Sequence, residues 1–269
     1  PPALHDMRHV GVLPTLVTIA NGYCGLLAIY KVNDGKFHVA AFLIMLAMVF
    51  DVLDGKVARM AGTTSKFGAQ LDSLSDAISF GAAPGFLVKG VIESHDFAYY
   101  QPKLLTLLTA VFALCALLRL ARYNAEHSSG EGSDEEGKEV SAFSGIPTPG
   151  AAGVLASLTF MATEEGLLPA DGGTNFYTVV LAALPPLCFI LGFLMISQVR
   201  YVHFGSRFLQ GRRDFRYMFL IVFAAALMTR YPEEFLAAAF CIYAISGPLT
   251  APFVRGSVEK EKIEIPDGL

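Results

Sequence analysis

Asp51-Val52-Leu53-Asp54-Gly55-Lys56-Val57-Ala58-Arg59, continued by Gly68-Ala69-Gln70-Leu71-Asp72-Ser73-Leu74-Ser75-Asp76, decides how this chain is read. The pattern is D-x-x-D-G-x-x-A-R-x8-G-x-x-x-D-x-x-x-D, and its flanks are almost wholly apolar. A carboxylate at membrane depth costs about 3 kcal/mol or more unless it faces a partner or a cation. Asp51 and Asp54 are three apart, and Asp72 and Asp76 are four apart, so each pair shares one helix face. Two such faces turned toward each other offer four carboxylates, an oxygen-rich site for hard divalent cations. Gly55 and Ala58 keep the surface low, so the backbone atoms of a ligand can approach. Arg59 sets a fixed cation beside the acids, where a phosphate would lie.

Composition sets the environment. The chain has 269 residues, 54% hydrophobic and 16% charged, with a mean hydropathy of +0.50. That is too apolar for an ordinary soluble domain and predicts an all-α, polytopic transmembrane bundle. A spanning helix needs about 20 apolar residues. Eight runs are candidates, at about 11–30, 37–60, 72–92, 103–123, 147–164, 175–197, 215–230 and 234–254, with the fifth and seventh short enough that six or seven spans is the alternative. Tyr231-Pro232-Glu233-Glu234 separates the last two and reads as a tight helical hairpin. The division expected is a six-span catalytic core over 1–198 and a basic segment, C-terminal hairpin and tail over 199–269, all in one bundle.

Residues 124–141 are acidic and rich in Gly and Ser, the composition of a solvated loop. Residues 199–216 interleave five arginines with Tyr201, Phe204 and Phe208, which suits either topology-setting charge or a helix on an anionic leaflet. The tail from Ser257 is charged and is expected to fray. Cys24, Cys115, Cys188 and Cys241 fall in apolar runs without paired spacing, so neither a disulfide framework nor a zinc site is expected. No cleavable signal peptide is evident at the N-terminus. With eight spans and the N-terminus inside, the outside loops hold only Lys31, Lys36, Lys89, Lys103 and Arg230 of the 20 basic residues. This positive-inside bias puts the aspartates at the cytoplasmic end of the second and third spans, facing the cytoplasm from the cell membrane.

The motif resembles the signature of the CDP-alcohol phosphotransferases and matches it at every defined position. The resemblance covers roughly the first 150 residues well. It implies transfer of a phosphatidyl group with CMP as the leaving group, Mg²⁺ or Mn²⁺ as cofactor, and a homodimer. By motif position it makes Asp51, Asp54 and Asp72 metal ligands, and Asp76 both ligand and general base. Nucleotide contacts map to Gly55, Ala58 and Arg59, with Ser65 in the connecting turn, and Gly68 is the packing glycine. The chemistry fits these residue types. Carboxylate-held cations can neutralise the charge that develops on a diphosphate, two of them about 4 Å apart clamping both ends of the displacement. An attacking hydroxyl needs a base within hydrogen-bond reach.

Family members commonly carry Pro-Asn where this chain has Pro14-Thr15, and Thr15 is the candidate replacement for that amide near the CDP-lipid. Asn21 is a second candidate, or else a helix–helix hydrogen bond. Arg119-Leu120-Ala121-Arg122-Tyr123-Asn124 and Phe143-Ser144-Gly145-Ile146-Pro147-Thr148-Pro149-Gly150 resemble stretches of the serine-using, integral-membrane branch. Arg119 or Arg122, three apart on one helix face, could hold the serine carboxylate in a bidentate pair, or else both are helix-end anchors. The expected reaction joins CDP-diacylglycerol, or its archaeol counterpart, to L-serine. Glycerol phosphate, inositol phosphate or an amino alcohol is the alternative acceptor. An aspartate-rich membrane prenyltransferase would carry two separate acidic loops. A cation transporter commonly shows related halves, and the acidic motif has no second copy.

Overall fold

The computed structural model describes residues 6–61, 66–95, 97, 100–128, 145–163, 175–197 and 229–263. Among these the regular structure is helical throughout, as the apolar composition requires. The helices are α1 (Asp6–Asn33), α2 (Phe37–Ala61), α3 (Lys66–Asp76), α4 (Ala83–Ser94), α5 (Pro102–Ser128), α6 (Thr148–Ala162), α7 (Phe176–Ile196) and α8 (Pro232–Ile263). A π-helical segment, Ala77–Ala82, joins α3 to α4 without a break, so these three form one rod. A π-turn widens the helix by one residue and rotates everything beyond it. Here it begins immediately after Asp76.

Among the described residues, four stretches are long and apolar enough to cross a membrane: Pro14–Asn33, Phe37–Val57, Pro102–Ala125 and Phe176–Ile196. The expectation of eight spans is met in these four. The expected span 72–92 lies inside the α3–π–α4 rod, which begins earlier, at Lys66. The expected span 147–164 is a 15-residue helix, α6. The expected span 234–254 falls within α8, and residues 215–228 of the remaining one lie outside the described residues. The hairpin break appears where expected: Arg230 is helical, Tyr231 is not, and α8 starts at Pro232. Two boundaries differ from expectation. Helix α5 runs through residues 124–128, the first part of the stretch whose composition is that of a solvated loop. Helix α8 runs to Ile263, past the start of the charged tail.

α6 explains how a short helix holds the bundle together. It begins Thr148-Pro149-Gly150-Ala151-Ala152-Gly153-Val154-Leu155-Ala156-Ser157, and twelve of its 15 residues are buried. A helix apolar on every side belongs in the interior. Small side chains let neighbours approach closely, and packing replaces water exclusion as the driving force in lipid. α6 packs against α2, α7 and α8, while α1 packs on α2 and α5 on α7. Ala152 and Ala156 join one core cluster with Ala28, Ile44 and Phe80, and Ala151 and Leu155 join a second with Phe112, Leu184 and Cys188. Cys24, Cys115 and Cys188 are buried, Cys241 is partly buried, and all four are free thiols.

The entry to α6 is set by Gly145, at φ +89°, a conformation that side-chain-bearing residues rarely adopt. A Cβ there would strike the carbonyl oxygen of Met195. Ile146 N–H then donates to Leu194 O at 3.2 Å, binding the entry strand of α6 to the end of α7. At the far end of the bundle, His38 stacks on Phe160 at 4.0 Å between ring centroids and stands 3.7 Å from Glu233. That contact ties the first turn of α8 to α2 and α6.

Candidate active site

The acidic pattern folds as its spacing predicts at three of its four carboxylates. Asp51 and Asp54 lie on α2, Asp72 and Asp76 on α3, and α1 packs against both helices. One carboxylate oxygen from each of Asp51, Asp72 and Asp76 lies within 4.8 Å of the others. Asp54 stands next to this group rather than in it. It is 6% exposed, beside the Thr18 side chain and its own neighbour Gly55 N–H. Asp54 Oδ2 and Asp72 Oδ1 are buried and have no hydrogen-bond partner among the described residues. A buried carboxylate oxygen without a donor is costly unless a cation completes it. The donor set, all carboxylate oxygen on two rigid helices, therefore fits a hard divalent ion.

Asp76 is held from α1. Asn21, fully buried, donates from Nδ2 to Asp76 Oδ1 at 2.9 Å. Ser79, in the π-helical segment, donates to Asn21 O at 2.9 Å. These two bonds need α1 and the α3–π rod to touch, and Gly22 and Gly25 permit it. A Cβ at Gly22 would lie 3.0 Å from Ser75 Oγ, and one at Gly25 would lie 2.7 Å from Ser79 Cα. Asn21 thus makes the interhelical hydrogen bond that was one of its two readings, and its partner is the proposed base. Thr15 is half-buried on α1, and Thr18, which donates to Pro14 O, is buried beside Asp54.

The remaining motif positions fall as follows. Gly55 is exposed, and a Cβ there would meet only open space, in keeping with a surface left low for a ligand. Gly68 is half-buried on α3. Ala58 and Arg59 belong to α2, but their side chains lie outside the described residues, as does Ser65 entirely.

The two arginines do not share a setting. Arg119 is partly buried and donates from Nη1 to Thr148 Oγ1 at 2.9 Å. Its electrostatic neighbours are Tyr243, Tyr123 and Asp76. Arg122 is exposed on the helix surface. The two arginines, three apart on α5, therefore differ in burial, and Arg119 is the more enclosed of the two candidates. At the same level Asn124 and Ser73 exchange hydrogen bonds, Asn124 Nδ2 to Ser73 Oγ at 2.9 Å, which docks the end of α5 one residue from Asp72. Thr18, Ser73, Thr148 and Tyr243 were not assigned roles from the sequence. Small residues at helical spacing facing another helix were the available signal for the first two.

A membrane bundle with a carboxylate cluster at one helix junction and a cation facing it defines a class: a metal-assisted membrane transferase. A sequence profile of the CDP-alcohol phosphatidyltransferase family matches residues 11–196, and the chain belongs to that family. It is an enzyme of that family, whose members work with Mg²⁺ or Mn²⁺. The chain is 27% identical to a CDP-diacylglycerol–serine O-phosphatidyltransferase of Helicobacter pylori, across 88% of this chain and 89% of that one. It is 32% identical to the protein of the same name from Methanocaldococcus jannaschii, across 94% of this chain and 100% of that one. It is 34% identical to an archaetidylserine synthase of Methanothermobacter thermautotrophicus, across 70% and 69%.

Proposed function

We propose that this protein transfers the phosphatidyl group of CDP-diacylglycerol to L-serine, releasing CMP and forming phosphatidylserine. The observation that carries the acceptor is Arg119: a partly buried cation, fixed by Thr148, within electrostatic reach of Asp76. A serine whose carboxylate lies on Arg119 has its hydroxyl on the Asp76 side. The names of the relatives support the same acceptor.

Asp51, Asp54, Asp72 and Asp76 would hold one or two Mg²⁺ or Mn²⁺ ions, which supply charge neutralisation on the diphosphate. Gly55, Ala58, Arg59, Ser65 and Thr15 receive the cytidine diphosphate. Asp76 accepts the serine hydroxyl proton through the oxygen not engaged by Asn21. The serine oxygen forms a bond to the lipid-bearing phosphorus, and the bond from that phosphorus to the CMP oxygen breaks. Arg119 orients the acceptor, so that the reaction is not bimolecular in the alcohol at the moment of attack. The site opens to the cytoplasm from the cell membrane, in accord with the positive-inside charge distribution, and the enzyme works as a homodimer. Residues 1–198 form the transferase core, and 199–269 complete the same bundle.

The purified enzyme in detergent is incubated with Mn²⁺ and either CDP-diacylglycerol or CDP-archaeol, against L-serine, ethanolamine, glycerol phosphate and inositol phosphate. Mass analysis should find the serine lipid and CMP, abolished by EDTA and restored by Mn²⁺. A product with another acceptor, and none with serine, would overturn the acceptor. The archaetidylserine synthase relative makes the archaeol donor a required arm of the test.

A further inference from the structure

α8 lies beyond the residues that match the family profile, 11–196. It nevertheless reaches the site. Phe240 and Tyr243, three apart on one face of α8, pack against Gly153 and Gly150 of α6. Tyr243 Cε1 lies 2.7 Å from where a Cβ at Gly150 would stand, so only glycine there admits the ring. Two residues before Gly150 is Thr148, which accepts the hydrogen bond from Arg119. Arg119 and Tyr243 are electrostatic neighbours of each other, and Tyr243 is partly buried. Ser246 donates to Tyr243 O at 2.7 Å, and the His38–Glu233 contact pins the start of the same helix. The ring is therefore seated in the notch that Gly150 leaves on α6, and its phenol is the polar end of this contact. A buried tyrosine hydroxyl is used where a polar partner needs orienting.

We propose that Tyr243 is a positioning residue that fixes the Arg119 guanidinium for the acceptor's carboxylate and thereby sets the preference for an amino acid over an amino alcohol. This rests on the reading above that Arg119 holds the acceptor. Tyr243 touches no reacting atom. It acts by removing the rotamer freedom that Arg119 would otherwise lose on binding. The C-terminal helix is thus part of the acceptor side of the site.

The test uses the full-length enzyme in detergent and the Tyr243→Phe variant, which keeps the ring in the Gly150 notch and removes only the hydroxyl. Initial rates are measured against L-serine and against ethanolamine, the same molecule without the carboxylate, with CDP-diacylglycerol varied separately. The serine KM should rise up to about tenfold, the cost of immobilising one rotamer-rich side chain on binding. The preference for serine over ethanolamine should fall by the same factor. The KM for CDP-diacylglycerol and the thermal midpoint should not move. Phe240→Leu, a packing change on the same helix face, should lower the thermal midpoint and leave the preference intact. A Tyr243→Phe enzyme with unchanged serine KM and preference overturns the proposal. So does one in which both substrates' KM values and the midpoint shift together, since that marks a packing role. A wild-type enzyme that shows no preference for serine overturns the acceptor reading itself, and is distinguished by being seen before any variant is made.

Discussion

The two walls of the site are built differently. The wall formed by α1, α2 and α3 carries four carboxylates drawn from one continuous motif, and its helices are neighbours in the chain. The wall formed by α5, α6 and α8 carries Arg119, Thr148 and Tyr243, contributed by three separate parts of the chain. The first wall is the feature that defines the family. The second faces it, and under the proposed function it is where acceptors are told apart, because a carboxylate, a phosphate and a neutral alcohol differ most in what they require of a cation. Chemistry held on adjacent helices is robust to changes elsewhere. Recognition assembled from distant helices can be altered by one residue without disturbing it.

The largest effects should come from the carboxylate wall. Asp51→Asn, Asp54→Asn and Asp72→Asn should each reduce turnover by about a thousandfold or more, since each takes away charge worth several kcal/mol to a bound cation. Asp54 belongs with the others because its buried Oδ2 has no donor among the described residues. Removal of one of several repelling acids should leave folding intact, as read by size-exclusion elution and thermal midpoint. Near-normal rates in Asp54→Asn at saturating Mn²⁺ would restrict the metal set to the three carboxylates that converge.

Asp76→Asn tests the base. Turnover should fall by about 10²- to 10⁴-fold, the usual worth of general-base help, while a CDP-lipid analogue still binds by calorimetry. Lost binding with preserved turnover at high substrate would leave Asp76 a binding residue only.

The second wall should respond in the acceptor alone. Arg119→Lys keeps the charge and loses the planar fork, so the serine KM should rise roughly ten- to a hundredfold, about 1.5–3 kcal/mol. Arg122→Lys, on an exposed residue, should change it by less than about threefold. Equal effects at the two positions would contradict the split seen between them. CDP-lipid affinity should stay constant in both, and its loss would erase the distinction between the walls.

A further effect concerns how the first wall is held. Gly25→Ala forces a methyl against Ser79 Cα, backbone that cannot swing aside. It should cost about 1–3 kcal/mol of stability as overpacking and loosen the Asn21–Asp76 hydrogen bond, read as a lower thermal midpoint with reduced turnover. Unchanged values in both would show that α1 does not set the position of Asp76.

Much of this protein was legible in the sequence alone. The apolar composition dictated helices, because a chain in lipid must satisfy its backbone hydrogen bonds internally. The three- and four-residue intervals dictated that the aspartates share helix faces, because helical periodicity is a local property. The break at Tyr231-Pro232 was legible for the same reason. The tertiary structure decided what depends on rotation and return of the chain. It separated Asp54 from the three converging carboxylates, and Arg119 from Arg122, because a few tens of degrees about a helix axis change which residue faces inward. It turned a run that resembled a thin membrane span into the buried centre of the bundle, since hydropathy does not distinguish a helix facing lipid from one facing other helices. It also brought Tyr243 to Arg119 across more than a hundred residues of chain, through the space left by Gly150. No local pattern encodes that meeting, because it depends on the packing of α8 against α6.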